Sequence, residues 1–145
     1  GHAKDYIRAM HLMLQLDEPE DFVIATGVTT SVREFVRMAF AETGTEVAFE
    51  GEGVNEVAVV KAIHSDKMNT LKPGDVVVRV DPGYFRPTEV DMLIGDPTKA
   101  REKLGWKPDY DLKALIKDMV TSDLKAVHKD RYLKEGGYQI KNYFE

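Results

Sequence analysis

At 145 residues the chain fits one domain or part of a larger protein, and 43% hydrophobic with 31% charged residues allows a core and excludes a disordered chain. The formal charge of −5 argues against a nucleic-acid partner. The absence of cysteine excludes disulfides, thiolate catalysis and cysteine-ligated metal, and suits a reducing, cytoplasmic setting. The longest apolar runs, such as Phe22–Ala25, are too short to cross a bilayer, so no membrane partner is expected. The first residues carry neither a hydrophobic signal region nor Met, and read as a start inside a longer protein.

Residues Ala3–Leu16 predict a helix, with Ile7, Met10 and Leu14 on one stripe, widened by Tyr6 and Met13 and ended at Pro19. Phe22–Thr26, closed by Gly27, predicts a buried strand. Ser31 and Glu34 make an S-x-x-E capping box that opens a helix carrying Val32, Phe35, Val36, Ala39 and Phe40 on one face. Gly44 is placed to close that helix in a left-handed conformation. Val47–Glu50 and Val57–Lys61 predict two short strands about a Gly51–Asn55 turn, Ile63–Gly74 a surface loop, and Val76–Val80 another strand broken at Asp81-Pro82-Gly83. Asp96-Pro97 is a helix start, and Gly105 its stop. A last long helix begins near Asp111 with Leu112, Leu115, Ile116, Met119, Val120, Leu124 and Val127 on one face. The tail after Gly137 has little pattern. These elements predict a mixed α/β chain of about four helices and four short strands.

Few residues carry chemistry on spacing alone. The histidines (His2, His11, His64, His128) show no metal-ligand spacing, and His11 reads as packed or surface-lying. Gly51-x-Gly53 lacks the third glycine of a dinucleotide loop. Arg33, in the first turn of the capped helix, can assist an anion at the free N–H groups or pair with Glu34 or Glu42. In Tyr84-Phe85-Arg86-Pro87-Thr88-Glu89, Arg86 can fork onto phosphate oxygens and Glu89, three residues on, can accept a ribose diol. The same pattern also fits a plain surface ion pair.

Several segments, in order, resemble one family. They are Gly1-His2-Ala3-Lys4-Asp5-Tyr6, Asp21-Phe22-Val23-Ile24-Ala25-Thr26-Gly27, Ser31-Val32-Arg33-Glu34-Phe35, Phe49-Glu50-Gly51-Glu52-Gly53-Val54, Tyr84-Phe85-Arg86-Pro87-Thr88-Glu89-Val90, Gly95-Asp96-Pro97-Thr98-Lys99-Ala100 and Lys103-Leu104-Gly105-Trp106-Lys107-Pro108. The last is widespread among nucleotide-sugar short-chain enzymes; the opening segment, the Ala25-Thr26-Gly27 end and the Phe85–Glu89 run are more specific. Together they resemble the GDP-mannose 4,6-dehydratases, extended short-chain dehydrogenases/reductases, up to about Leu124.

The resemblance implies an α/β fold in which residues 1–145 are the C-terminal, substrate-binding portion of such an enzyme, including the last strand of the Rossmann sheet at Phe22–Thr26. It implies a lyase that converts GDP-mannose to GDP-4-keto-6-deoxy-mannose, on the route to GDP-fucose and other deoxy sugars. NADP serves the full-length enzyme on an N-terminal Rossmann domain absent from this chain, so none is expected to bind here. A transient C4 ketone acidifies the C5 proton and so makes loss of the C6 hydroxyl feasible. Arg86 and Glu89 are the substrate-binding residues the resemblance implies. No catalytic or metal residue is carried over, because none of the six tyrosines has a lysine four residues later. The expected partners are GDP-mannose, the missing N-terminal half, or a second copy of the chain through apolar surface on the first two helices. A sister epimerase or reductase, or a non-catalytic nucleotide-sugar-binding or assembly module, is the alternative.

Overall fold

The computed structural model describes residues 1–65, 70–86 and 93–139. Its elements are α1 (Ala3–Met13), α2 (Val32–Glu42), β1 (Thr45–Glu50), a single 3-10 turn (Gly53–Asn55), β2 (Val57–Ile63), β3 (Val76–Arg79), α3 (Thr98–Leu104) and α4 (Leu112–Glu135). The α/β class expected from the pattern holds.

Local sequence signals set most boundaries. Ser31 accepts from the Glu34 N–H at 3.2 Å and caps α2, while Gly44, at φ 78°, closes it. Glu34 turns to Arg37 instead of reaching back to complete the box. Asp96 accepts from both the Thr98 N–H (2.9 Å) and its hydroxyl (2.6 Å) just ahead of α3, whose N-cap is Pro97 and not the aspartate. Gly105, at φ 61°, ends α3. Asp111 caps α4 through the Ala114 N–H at 2.7 Å.

β1, β2 and β3 form an antiparallel sheet in that order. Thr45 faces Ile63 and Glu50 faces Val57 across the first pair, with an irregularity between Glu46 and Val47. The second pair sets Val57 against Arg79. α2 packs on β1 and on α4, where Ile116 is buried, and α1 packs on α3. A cluster of Ala9, Ala100 and Trp106 forms the core under α1, with Leu12, Met13, Phe22, Ile24 and Leu104 against it.

Phe22–Thr26 corrects the strand expectation: it forms no strand. Phe22 and Ile24 pack inward while Val23 stays 53% exposed, so the alternation of a strand is present. A ladder needs a neighbouring chain to exchange N–H and C=O bonds, and no described residue supplies one. The segment lies close to Gly95, where an added Cβ would come within 2.7 Å of the Ala25 Cβ.

Candidate functional site

Arg86 sits on the loop that leaves β3. The loop opens with a turn built on Asp81, whose carbonyl accepts from the Tyr84 and Phe85 N–H groups at 3.1 Å each. The Asp81 carboxylate accepts from the Gly83 N–H at 2.8 Å. Phe85 reaches across to the 3-10 turn, its ring 3.7 Å from where a Cβ on Gly53 would stand. Arg86 follows, exposed, and makes no hydrogen bond or ion pair with any described residue. Glu89 lies outside the described residues. The site is therefore seen from its arginine alone.

Arg33 takes neither of the partners expected for it. Its Nε donates to Glu56, just before β2, and that carboxylate raises the Arg33 pKa above its ordinary value. The pair ties the first turn of α2 to the segment just after the 3-10 turn. The guanidinium is half-exposed and Glu56 mostly covered.

The Gly51-x-Gly53 loop does not fit a dinucleotide. It joins two antiparallel strands, where a phosphate-binding loop joins a strand to a helix. An added Cβ on Gly51, at φ 84°, would fall 2.6 Å from the Asn55 carbonyl oxygen, so this glycine serves the tight turn itself.

A cavity of about 680 Å³ opens elsewhere, between the starts of α2 and α4. Its wall includes Gly1, Thr26, Val32, Phe35, Tyr110 and Leu115, but not Arg86. It is mainly apolar and abuts the unpaired Phe22–Thr26 segment, which suits packing against polypeptide better than gripping a diphosphate.

Sequence patterning missed a polar latch between α1 and the link from α3 to α4. The buried Asp5 carboxylate accepts from the Asp109 N–H (3.0 Å) and the Tyr110 N–H (3.1 Å). The Trp106 indole N–H donates to the Asp5 carbonyl at 2.9 Å. Arg8 bonds the Asp109 carboxylate and the Lys107 carbonyl. His2, also buried, accepts the Lys4 N–H on Nδ1 at 3.1 Å and meets Asp118 through Nε2 at 3.1 Å. Its ring stacks on Tyr110 at 4.1 Å. The Asp118 carboxyl is held below its ordinary pKa, first by this bond. These contacts span about a hundred residues of sequence, and no local pattern announces them.

The other histidines take no such role. His11 is exposed on the last turn of α1, and His64 faces Glu46 at 3.4 Å on the surface. Among the described residues no three His, Asp or Glu side chains converge as a metal cage, and no helix is long and apolar enough to cross a membrane.

The sequence model described as GDP-mannose 4,6 dehydratase matches residues 1–119. The GDP-mannose 4,6-dehydratase of Yersinia enterocolitica is 50% identical over 140 residues, covering 97% of this chain and 38% of that protein. A Vibrio cholerae GDP-mannose 4,6-dehydratase is 51% identical over 140 residues, with the same 97% and 38% coverage. The Homo sapiens GDP-mannose 4,6 dehydratase is 51% identical over 127 residues, covering 88% of this chain and 32% of that protein. The chain thus spans roughly a third of the length of the curated relatives it matches. With the family's sequence matched over most of its length, the chain belongs to the GDP-mannose 4,6-dehydratase family.

Proposed function

We propose that this chain is the GDP-mannose-binding part of a GDP-mannose 4,6-dehydratase, with Arg86 on the diphosphate and Glu89 on the ribose. The observation that carries the reading is Arg86 itself. It is an exposed guanidinium with no partner among the described residues, on a loop whose preceding turn is fixed by three hydrogen bonds. A guanidinium engaged by none of the described residues can offer parallel N–H donors to phosphate oxygens. A carboxylate at position 89 accepts the two ribose hydroxyls.

The redox chemistry belongs to polypeptide outside this chain. NADP would supply hydride-transfer chemistry to the whole enzyme; no residue here makes a dinucleotide loop or a Tyr-x-x-x-Lys pair. The apolar stripe of α1 (Ile7 64%, Met10 56%, Leu14 81% exposed) and the open edge of Phe22–Thr26 are where that polypeptide docks. Docking would bring a neighbour with which the unpaired Phe22–Thr26 backbone can exchange hydrogen bonds, and would cover the cavity beside it.

Calorimetric titration with GDP-mannose tests the reading. The chain should bind, and Arg86→Ala should weaken binding by roughly tenfold or more, the scale of a lost charge-assisted bond. Equal binding by both would remove the phosphate role. Turnover of GDP-mannose by this chain with added NADP alone would refute the assignment of the chemistry to other polypeptide.

A further inference from the structure

The geometry points to Asp81 as the positioning residue for Arg86, an inference that rests on the reading of Arg86 as a phosphate ligand. A long side chain on a free loop spends little time in one place, and ordering it on binding costs affinity. The backbone before Arg86 is not free. Asp81 takes three N–H groups in a row: Gly83 on its carboxylate at 2.8 Å, and Tyr84 and Phe85 on its carbonyl at 3.1 Å each. Pro82, between them, has no N–H to leave unpaired. Every backbone N–H between Asp81 and Arg86 is therefore consumed inside the turn, which starts two residues after the end of β3.

A second tether acts from the other side. Tyr84 points to solvent, 86% exposed, while Phe85 turns back and lies against Gly53. Gly53 adopts φ 57°, a conformation in which a side chain is strained, so the bare backbone there receives the ring. The same 3-10 turn is followed at once by Glu56, which is anchored to α2 by Arg33. Arg86 thus follows a residue docked on one element and a turn rooted in another. Of these contacts the Asp81 carboxylate is the one a single substitution removes without disturbing the sheet. An aspartate at the start of such a turn works through its side-chain oxygen, not its charge, and asparagine supplies the same oxygen.

The experiment titrates GDP into the native chain and into Asp81→Ala, Asp81→Asn and Arg86→Ala, with thermal unfolding of each as a control. Asp81→Ala should weaken GDP binding about tenfold, the scale of one lost hydrogen bond. Asp81→Asn should stay within about twofold of native, since the oxygen acceptor remains. Native-like binding by Asp81→Ala alongside weak binding by Arg86→Ala overturns the positioning role and leaves the phosphate role standing. Equal weakening by Asp81→Ala and Asp81→Asn also overturns it, because charge and not turn geometry would then matter. Native-like binding by Arg86→Ala, or no GDP binding by the native chain, overturns the phosphate reading and this inference with it.

Discussion

Asp5 and Trp106 hold each other through the main chain: the indole N–H donates to the Asp5 carbonyl at 2.9 Å in a site where Trp106 is 1% exposed. The Asp5 carboxylate meanwhile binds the Asp109 and Tyr110 N–H groups. One residue of α1 therefore satisfies three donors from the link that carries the chain from α3 to α4. Asp5→Ala strips two partly buried N–H groups of their acceptor and should cost about 1–3 kcal/mol, measured by urea denaturation. Asp5→Asn keeps one acceptor oxygen and should cost less. An alanine variant as stable as the native chain would mean that water replaces the carboxylate there.

Acid should loosen the molecule through three carboxylates held below their ordinary pKa. Glu20 is lowered by Lys103 and then Lys99, Asp96 by the Thr98 hydroxyl and then its N–H, and Asp118 by His2. A carboxyl depressed in the folded state adds stability that is complete above its ordinary value near pH 4 and is lost as the pH falls through the folded value. The melting temperature should therefore be insensitive to these groups at neutral pH and decline below about pH 4. Asp96→Asn, which still offers Thr98 an oxygen, should flatten that decline when melting is followed across the acid range. An unchanged slope would assign the acid sensitivity to other groups.

The helix ends and the sheet were legible because their signals are local. Ser31 and Gly44 bracket α2, Asp96 and Gly105 bracket α3, and Asp111 opens α4, each within a few residues of the backbone groups it serves. Phe22–Thr26 departs from its strand pattern for the complementary reason. Its composition and alternation are those of a strand, but strand pairing is a property of two chains, and the second is not among the described residues. Local spacing offers Arg33 an anion at the helix start or Glu34 or Glu42 on its own helix, while its partner Glu56 lies 23 positions on, brought near by the β1–β2 hairpin. His2 and Asp5 were invisible as anchors because a polar residue in a first helical turn ordinarily faces water. The diphosphate role proposed for Arg86 rests on family resemblance, since spacing alone favours a plain surface ion pair.

Two glycines of similar conformation should respond differently to alanine. Gly44 and Gly105 have φ of 78° and 61°, and alanine in that region costs about 1–2 kcal/mol from backbone strain alone. Around Gly105 nothing lies within 4 Å of an added Cβ, so Gly105→Ala should show that cost and no more. At Gly44 the new atom would stand 2.4 Å from the Ser65 Cβ, and the Gly44 carbonyl already holds the His64 N–H at 2.7 Å. Gly44→Ala should therefore be the more destabilising in parallel urea titrations, because strain and a clash at the α2–β1 corner act together. Equal losses would show that the corner yields freely.

The apolar stripe of α1 separates folding from assembly. Ile7, Met10 and Leu14 recur at i, i+3 and i+7 and are more than half exposed, whereas Ala9 and Leu12 on the other side meet the Trp106 core. Exposed apolar side chains of this kind add little to the stability of the isolated chain but favour association in water. Met10→Lys combined with Leu14→Glu should leave the melting temperature within a few degrees of native, because neither side chain lies in the core cluster. The same pair should reduce self-association seen by light scattering. It should also weaken capture of the cofactor-binding half of a family member supplied as a separate polypeptide, if that half docks on α1 as proposed. A drop in melting temperature of ten degrees or more would place the stripe inside the fold's own stability instead, since surface changes on an unpacked helix face rarely exceed about 0.5 kcal/mol.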